Sequence, residues 1–143
     1  MVYTTYFAQI RQLPPNVIPI SICAKAPTGY TGIQYKKLAP NYDLLQQWKL
    51  DHDDSNYTRR YTSEVLGRLN FQRVIDELQV ALPFEVKCQM QAPFWRSEQW
   101  HVALVCYEKP TNFCHRHLVA EWFKQHSIPC RELTSEDWAT FAL

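Results

Sequence analysis

The sequence predicts an α/β domain with a small, mostly parallel sheet of about four strands, flanked by helices in two or three layers. Apolar or β-branched runs of strand length occur at residues 2–8, 17–25 and 101–108, and segments with helical spacing lie between and after them. The 143 residues, 46% of them hydrophobic, are enough for one core. We therefore expect residues 1–143 to form a single domain.

The first two strands are close together in the chain. Residues 2–8 are rich in Tyr, Thr and Phe, residues 17–25 read VIPISICAK, and a Leu-Pro-Pro-Asn turn at residues 13–16 separates them. Residues 26–40 then form a segment punctuated by Pro and Gly. An irregular loop of this length is often functional, although a plain surface connection is the alternative.

Three helices are predicted in the middle of the chain. Apolar residues recur at helical spacing in residues 41–50, 56–66 and 71–78. The third helix has the most regular pattern, and Asn70 precedes it as a capping residue.

The remaining strands and helices follow in alternation. Residues 83–100, with two prolines and an aromatic cluster, predict a loop with a short strand at residues 84–90. Residues 101–108, HVALVCYE, form an apolar run typical of a central buried parallel strand. A helix at residues 114–126, a strand at residues 130–133 and a C-terminal helix capped by Ser135 complete the prediction.

Composition excludes several classes of function. The net charge of +1 gives no general tendency to bind nucleic acid or anionic lipid. No apolar stretch approaches the length of about 20 residues that crosses a bilayer. With 3 glycines in all, a Gly-rich phosphate loop is excluded. Five cysteines without a secretion signal at the N-terminus lead us to expect a cytoplasmic protein with reduced thiols.

Reactive side chains are concentrated directly after the predicted central strand, in residues 106–117, CYEKPTNFCHRH. In open parallel sheets, ligands bind beyond the carboxyl ends of the strands. Cys114 begins the next helix, where the helix dipole and Arg116 would lower the pKa of a thiol, so it is the candidate for a reactive thiolate. The same helix end could instead bind an anion, with Arg116 holding a phosphate or carboxylate.

Each of these residues also has a structural interpretation. His115 shares a helix face with apolar residues, so a buried imidazole bonded to a strand carbonyl explains it equally well. Cys106 lies inside the apolar strand and could serve packing alone. Glu108 and Lys109 could form an exposed pair that contributes little.

Three known types of site can be tested on spacing. A Cys-based phosphatase loop requires Arg six residues after Cys, but Asn112 follows Cys106 at that distance. A serine hydrolase requires a G-x-S-x-G turn, which this chain lacks. Structural zinc prefers pairs such as Cys-x2-Cys, whereas Cys106 and Cys114 are eight residues apart, with His115 and His117 nearby. Zinc is therefore an alternative that the spacing does not favour, and no metal ligand is assigned.

The segment CYEKPTNFCHRHLVAEW closely resembles the signature of family 488 of the domains of unknown function, in its subgroup from bacteria and phages. Further similar blocks are Tyr3 to Phe7, Ile18 to Ile22, Tyr35 to Pro40, Lys49, Tyr57 and Tyr61, which together span most of the chain except residues 83–100. Thr111 departs from the pattern, since many relatives have glycine there. The resemblance implies a small intracellular α/β protein and indicates the location of a site more than its activity.

The leading hypothesis is a pocket for a phosphate-bearing or nucleotide-like ligand at the end of the central strand. If the protein is an enzyme, the candidate catalytic residues are Cys114 as nucleophile, Glu108 as acid–base and His115 as proton carrier or orienting residue. The proposed ligand-binding residues are Arg116, Lys109, Lys37, Tyr57, Tyr61 and Cys106.

Two alternatives belong to other classes. A nucleic-acid-binding module would use Lys36, Lys37, Arg59 and Arg60 with aromatic stacking. A purely structural polar cluster would only tie the loop to the helix. No membrane partner is expected, and the pattern says nothing about oligomeric state.

Overall fold

The computed structural model describes residues 1–141 and contains one sheet of five strands, all parallel. The strands are β1 (Val2–Tyr6), β2 (Val17–Ser21), β3 (Ile33–Gln34), β4 (His101–Cys106) and β5 (Cys130–Glu132). Their order across the sheet is β3-β2-β4-β1-β5, so β4 is the central strand. The α/β class is confirmed. The sheet has one strand more than expected, because β3 lies within the segment predicted as a loop.

Residues 1–141 also contain six α-helices: α1 (Tyr42–Asp51), α2 (Asp54–Glu64), α3 (Phe71–Ala81), α4 (Phe84–Gln89), α5 (His115–Gln125) and α6 (Ser135–Phe141). The side-chain oxygens of Asn41, Asp53 and Asn70 accept hydrogen bonds from backbone N–H groups three residues further on. These caps fix where α1, α2 and α3 begin. None of the described helices has both the length and the apolar character to cross a membrane.

The short strand predicted at residues 84–90 is wrong, because this segment forms α4. A strand would place Phe84, Val86 and Cys88 on one face, but only Val86 is buried, and Phe84 is 73% exposed. Pro83, with φ of −57°, precedes the first turn, where its missing N–H costs no helical hydrogen bond. Its carbonyl accepts from Lys87 N–H and begins the helix.

The two faces of the sheet are covered unequally. On one face Ile20, Val102 and Leu104 belong to the main core, together with residues of α2, α3 and α5. On the other face Tyr3 and Ala103 belong to a small cluster that includes a residue of α6. Successive strand residues point to opposite faces, so β4 is buried on both sides.

The carboxyl ends of three strands lie side by side at one edge of the sheet. Tyr6 of β1 lies opposite Cys106 of β4, and Ser21 of β2 lies opposite Val105. The N–H of Ile22 donates to the Val105 carbonyl, which continues the pairing past the end of β2. Helix α5 packs against β1 and β4. The residues that follow β2 and β4 therefore lie beside the first turn of α5.

His101, the first residue of β4, makes the fold sensitive to acid. Its ring centroid lies 5.8 Å from that of Tyr3 and 4.5 Å from that of Phe141, and the residue is 4% exposed. Nδ1 is buried and has no hydrogen-bond partner within residues 1–141. Burial, followed by the N-terminal ammonium, lowers the pKa of His101 from 6.5 to about 4.

We expect the neutral ring to stabilise the folded state fully above the unfolded pKa of 6.5 and to lose that effect as the pH falls to about 4. The unfolded chain binds the proton more readily in this window, which lowers the free energy of unfolding by up to about 3 kcal/mol. Denaturant titrations measure the free energy of unfolding at pH 7 and 4.5, and its decrease between the two should be smaller for His101→Phe than for the wild type. The exposed control His52→Asn should show the same decrease as the wild type, and equal decreases in all three proteins would contradict the prediction.

Candidate functional site

A cavity of about 320 Å³ opens at the edge of the sheet where β2 and β4 end. Helices α1 and α2 form one side, and the loop after β4 with the start of α5 forms the other. The walls carry the aromatic residues Trp48, Tyr57, Tyr107 and Phe113, the charged residues Lys25, Lys49 and Glu108, and the reactive residues Cys23, Cys106, Cys114 and His115. This is the place that the sequence predicts for a site.

Three thiols and one imidazole meet in the cavity, and we call Cys23, Cys106, Cys114 and His115 the thiol–imidazole cluster. Cys106 Sγ lies 3.4 Å from Cys23 Sγ and 3.5 Å from His115 Nδ1, and Cys114 Sγ lies 3.9 Å from the same nitrogen. All four residues are buried. The fold explains this meeting, because Cys106 ends β4, Cys23 follows β2, and Cys114 and His115 begin α5.

The proton of His115 has a defined position. Nε2 lies 2.8 Å from the carbonyl oxygen of Ile22, and because a carbonyl only accepts, we assign the proton to Nε2. Nδ1 therefore presents its lone pair to Cys106 and Cys114. The sulfur atoms of both and a nitrogen of His115 lie within 4.8 Å of one another, so this group could hold a metal ion.

The surroundings of Cys114 in the free protein oppose the thiolate that the sequence predicts there. Its hydrogen bond with Cys106, followed by burial, raises the pKa of Cys114 to about 12, against a smaller opposing effect of His115. For Cys106, the hydrogen bond with Cys114 lowers the pKa, but the contact with Cys23 and burial outweigh it and raise the pKa to about 12. The helix dipole is outweighed because both thiols are removed from water.

Aromatic rings form the walls above the cluster. The ring centroids of Trp48 and Phe113 lie 6.1 Å apart at an angle of 29°, and Tyr57 packs edge-on against Phe113 at 5.0 Å. Trp48 Nε1 donates to Asp54 Oδ1 at 2.8 Å, which holds the indole in place. Tyr61 stacks behind Tyr57 at 6.0 Å, is fully buried, and does not line the cavity.

The structure separates the residues proposed from the sequence into two groups. Five of them line the cavity: Cys106, Glu108, Cys114, His115 and Tyr57. The others lie elsewhere: Tyr61 bonds to the Leu38 carbonyl, Lys37 pairs with Glu77, Lys109 is exposed outside the cavity, and Arg116 is enclosed in the protein.

Sequence reasoning did not propose the other nine residues that line the cavity, which include Cys23, Lys25, Trp48, Lys49 and Phe113. Parallel pairing was the available signal for Cys23, because a residue just past β2 must lie beside the end of β4. Residue type and spacing carry no comparable signal for Trp48 or Lys49, since α1 reaches the cavity only through tertiary packing.

Arg116 forms a buried ion pair inside the protein, although its Nη1 has no hydrogen-bond partner within residues 1–141. It is 0% exposed, and its Nε and Nη2 donate to the two carboxylate oxygens of Glu132 at 2.9 and 3.0 Å. Thr4 Oγ1 donates to the same carboxylate at 2.6 Å. The guanidinium also lies over the Tyr6 ring, 5.8 Å from its centroid. These contacts join α5 to β1 and β5, so Arg116 acts within the scaffold.

Comparison with known proteins gives one match. Residues 8–127 match the family model described as the active DUF488-N3 subclade. The chain belongs to the DUF488 family. This stretch contains every residue that lines the cavity. No curated protein and no solved structure matches this DUF488 chain.

The buried ion pair predicts that Arg116→Ala destabilises this DUF488 protein without altering the cavity walls. Removing one partner of a buried pair leaves the other charge without compensation, so we expect the free energy of unfolding to fall by about 3 kcal/mol. The matched control is Lys124→Ala, because Lys124 pairs with Glu121 on the exposed side of the same helix and should cost no more than about 0.5 kcal/mol. Urea denaturation measures both, and similar losses for the two variants would refute the scaffold role of Arg116.

Proposed function

We propose that the cavity binds a nucleotide-like ligand, meaning a planar heterocycle that carries a phosphate or a similar anionic group. The observation that carries the proposal is that one cavity combines aromatic walls, two lysines and a cluster of reactive side chains. Its volume of about 320 Å³ suits a small ligand. The description of the matched subclade as active supports a reaction here in addition to binding.

The aromatic walls favour a flat ring. Trp48 and Phe113 present ring surfaces that lie 29° from parallel, and Tyr57 stands edge-on to Phe113. A planar heterocycle gains both burial and favourable ring contacts on such surfaces. The bond from Trp48 to Asp54 lowers the entropy lost on binding, because the indole is already fixed.

Two lysines favour an anionic group on that ring. Lys25 and Lys49 are exposed and line the cavity. Within residues 1–141 neither of them forms an ion pair, whereas Lys37 lies 2.7 Å from a carboxylate oxygen of Glu77. An ammonium group without a carboxylate partner can bind a phosphate oxygen directly. The proposal therefore assigns binding of the anionic group to Lys25 and Lys49, and no longer to Arg116 and Lys37.

The thiol–imidazole cluster is the proposed reactive end of the pocket. In a covalent reaction Cys114 Sγ attacks the phosphorus of the ligand, and the bond from phosphorus to its leaving oxygen breaks as the sulfur–phosphorus bond forms. His115 Nδ1, 3.9 Å from the sulfur, takes the thiol proton, and Glu108, as acid–base, gives a proton to the leaving oxygen. In a metal-centred reaction, Cys106, Cys114 and His115 would hold an ion such as zinc, which would supply an activated water.

The nucleic-acid alternative stays a prediction, and fewer contacts support it. Of its four basic residues, Lys37 pairs with Glu77 and Arg60 pairs with Glu64. If Lys36 and Arg59 bound phosphates, the affinity for a single-stranded oligonucleotide should fall steeply with salt. Fluorescence anisotropy at increasing salt tests this, and binding that salt does not change would exclude the surface.

Thermal unfolding with a panel of ligands tests the nucleotide-like class. We expect nucleoside monophosphates and diphosphates to raise the Tm, and inorganic phosphate or a nucleoside alone to raise it less, because each fills part of the cavity. A ligand at about 100 times its Kd should add about 2.7 kcal/mol of stability. Lys49→Ala should weaken binding of the phosphorylated ligands about tenfold, through the loss of one charge-assisted contact.

Two further variants make the test specific. Trp48→Ala should weaken the binding of nucleotides and nucleosides alike, because it removes one of the aromatic walls against which the planar ring would pack. Lys37→Ala is the matched control, since this lysine is bonded to Glu77 outside the cavity and should leave binding unchanged. A wild type that responds to none of these ligands, or equal effects of the two lysine variants, would exclude the proposed class.

A further inference from the structure

We infer that Cys106, Cys114 and His115 form a zinc site with an open coordination position that faces the cavity. The inference rests on the proposed function only for the ligand that this position would meet, since metal binding itself needs no nucleotide. In this zinc site the thiols of Cys106 and Cys114 are both metal ligands, whereas covalent catalysis uses only the thiol of Cys114.

The positions of the donor atoms fit tetrahedral zinc. With zinc about 2.3 Å from sulfur and about 2.0 Å from nitrogen, tetrahedral angles place sulfur and nitrogen donors about 3.6 Å apart. His115 Nδ1 lies 3.5 Å from Cys106 Sγ and 3.9 Å from Cys114 Sγ. All three donors lie within 4.8 Å of one another. Small side-chain movements are enough to complete the coordination.

The hydrogen bond from His115 Nε2 to a backbone carbonyl is of the kind that metal-binding histidines make. A histidine that binds a metal through one ring nitrogen almost always donates the other N–H to a carbonyl or carboxylate, which fixes the tautomer. Here Nε2 bonds to the Ile22 carbonyl at 2.8 Å, and Nδ1 faces both thiols. Covalent attack needs only one thiol beside Nδ1, the nitrogen that acts as the base. Two thiols face Nδ1 here, and metal binding accounts for both of them.

The surroundings favour an open position over a closed structural site. Three protein donors leave the fourth position of tetrahedral zinc to water, and the bound water then has a pKa of about 7. Cys106, Cys114 and His115 all line the cavity, so this water would face the proposed ligand. Glu108 lines the same cavity and is a carboxylate that can accept a proton from the water. Two cysteines and one histidine also form the zinc donor set of nucleobase deaminases, in which a glutamate that does not bind the zinc acts as acid–base.

Cys23 is the competing fourth ligand. Its sulfur lies 3.4 Å from Cys106 Sγ, but it is not a member of the group whose donor atoms all lie within 4.8 Å of one another. It also lies within reach of the Val105 carbonyl, with 3.7 Å between sulfur and oxygen. We therefore place Cys23 beside the metal as a neighbour of Cys106.

The experiment is a titration of the full, reduced, chelator-treated chain with Co²⁺ and then Zn²⁺. Wild type should bind one Co²⁺ per chain, with thiolate-to-cobalt absorption and the visible bands of tetrahedral cobalt, and Zn²⁺ should displace it. Azide should change the visible bands, because it replaces the exchangeable water. A wild type without cobalt–thiolate absorption overturns the site, and bands that azide leaves unchanged overturn the open position.

Matched cysteine variants locate the ligands. Cys106→Ser, Cys114→Ser and His115→Ala should each weaken Co²⁺ binding at least tenfold, whereas Cys130→Ser, which alters a buried thiol outside the cluster, should not. Cys23→Ser should keep one Co²⁺ per chain and its response to azide, and loss of the metal would overturn the open site in favour of Cys23 as fourth ligand. Circular dichroism confirms that each variant is folded, and the wild-type titration decides the question if a variant is not.

The metal and the ligand proposals can fail separately. Nucleotide-induced thermal shifts are measured with chelator present and again with one equivalent of Zn²⁺. Thermal shifts in both conditions without Co²⁺ binding would refute the zinc site and support the nucleotide site. Co²⁺ binding without any thermal shift would refute the nucleotide site and support the zinc site.

Discussion

The hydrogen bond between His115 Nε2 and the Ile22 carbonyl is the contact on which the candidate site depends. It joins the first turn of α5 to the chain just past β2, across the end of the central strand. It also fixes the ring so that Nδ1, an acceptor, faces Cys106 and Cys114. If the proton were on Nδ1 instead, an N–H would face the thiols, and neither proton transfer to His115 nor metal binding through this nitrogen would follow. One backbone carbonyl thus sets the chemistry of the cluster.

The parallel sheet makes this contact possible. Because β1, β2 and β4 run in the same direction, their ends and the residues that follow them meet at one edge. Arg116, next to His115, anchors the same helix to Glu132 of β5 and is shielded from water. The strongest cation of the segment therefore stabilises the position of α5, and the proposed anion site uses the exposed lysines instead. Neighbouring residues of one motif have separate roles because the helix turns them toward different elements.

Sequence patterns predicted the fold and the location of the site more reliably than its electrostatics. The central strand and the helix after Cys114 follow from apolar periodicity, and the location of the cavity follows from the rule for parallel sheets. The roles of Arg116 and Cys114 did not follow. Glu132 is 16 residues beyond Arg116 in the chain, and only the pairing of β5 with β1 brings it close. The contact with Cys106 and burial among distant segments raise the pKa of Cys114, and no local spacing records either of them.

The cavity joins a rigid floor to walls from a separate pair of helices. The floor consists of residues attached to β2, β4 and α5, and these are held by the sheet and by the bonds of His115 and Arg116. The walls come mainly from α1 and α2, whose contact with each other includes the bond from Trp48 to Asp54. The loop between β4 and α5 contains Pro110 and no glycine, so little of its freedom remains to be lost when a ligand binds. If the proposed ligand binds here, the walls and lysines would select it, while the floor would hold the reactive atoms. Substitutions in α1 would then alter which ligand is bound without disturbing the hydrogen bond of His115.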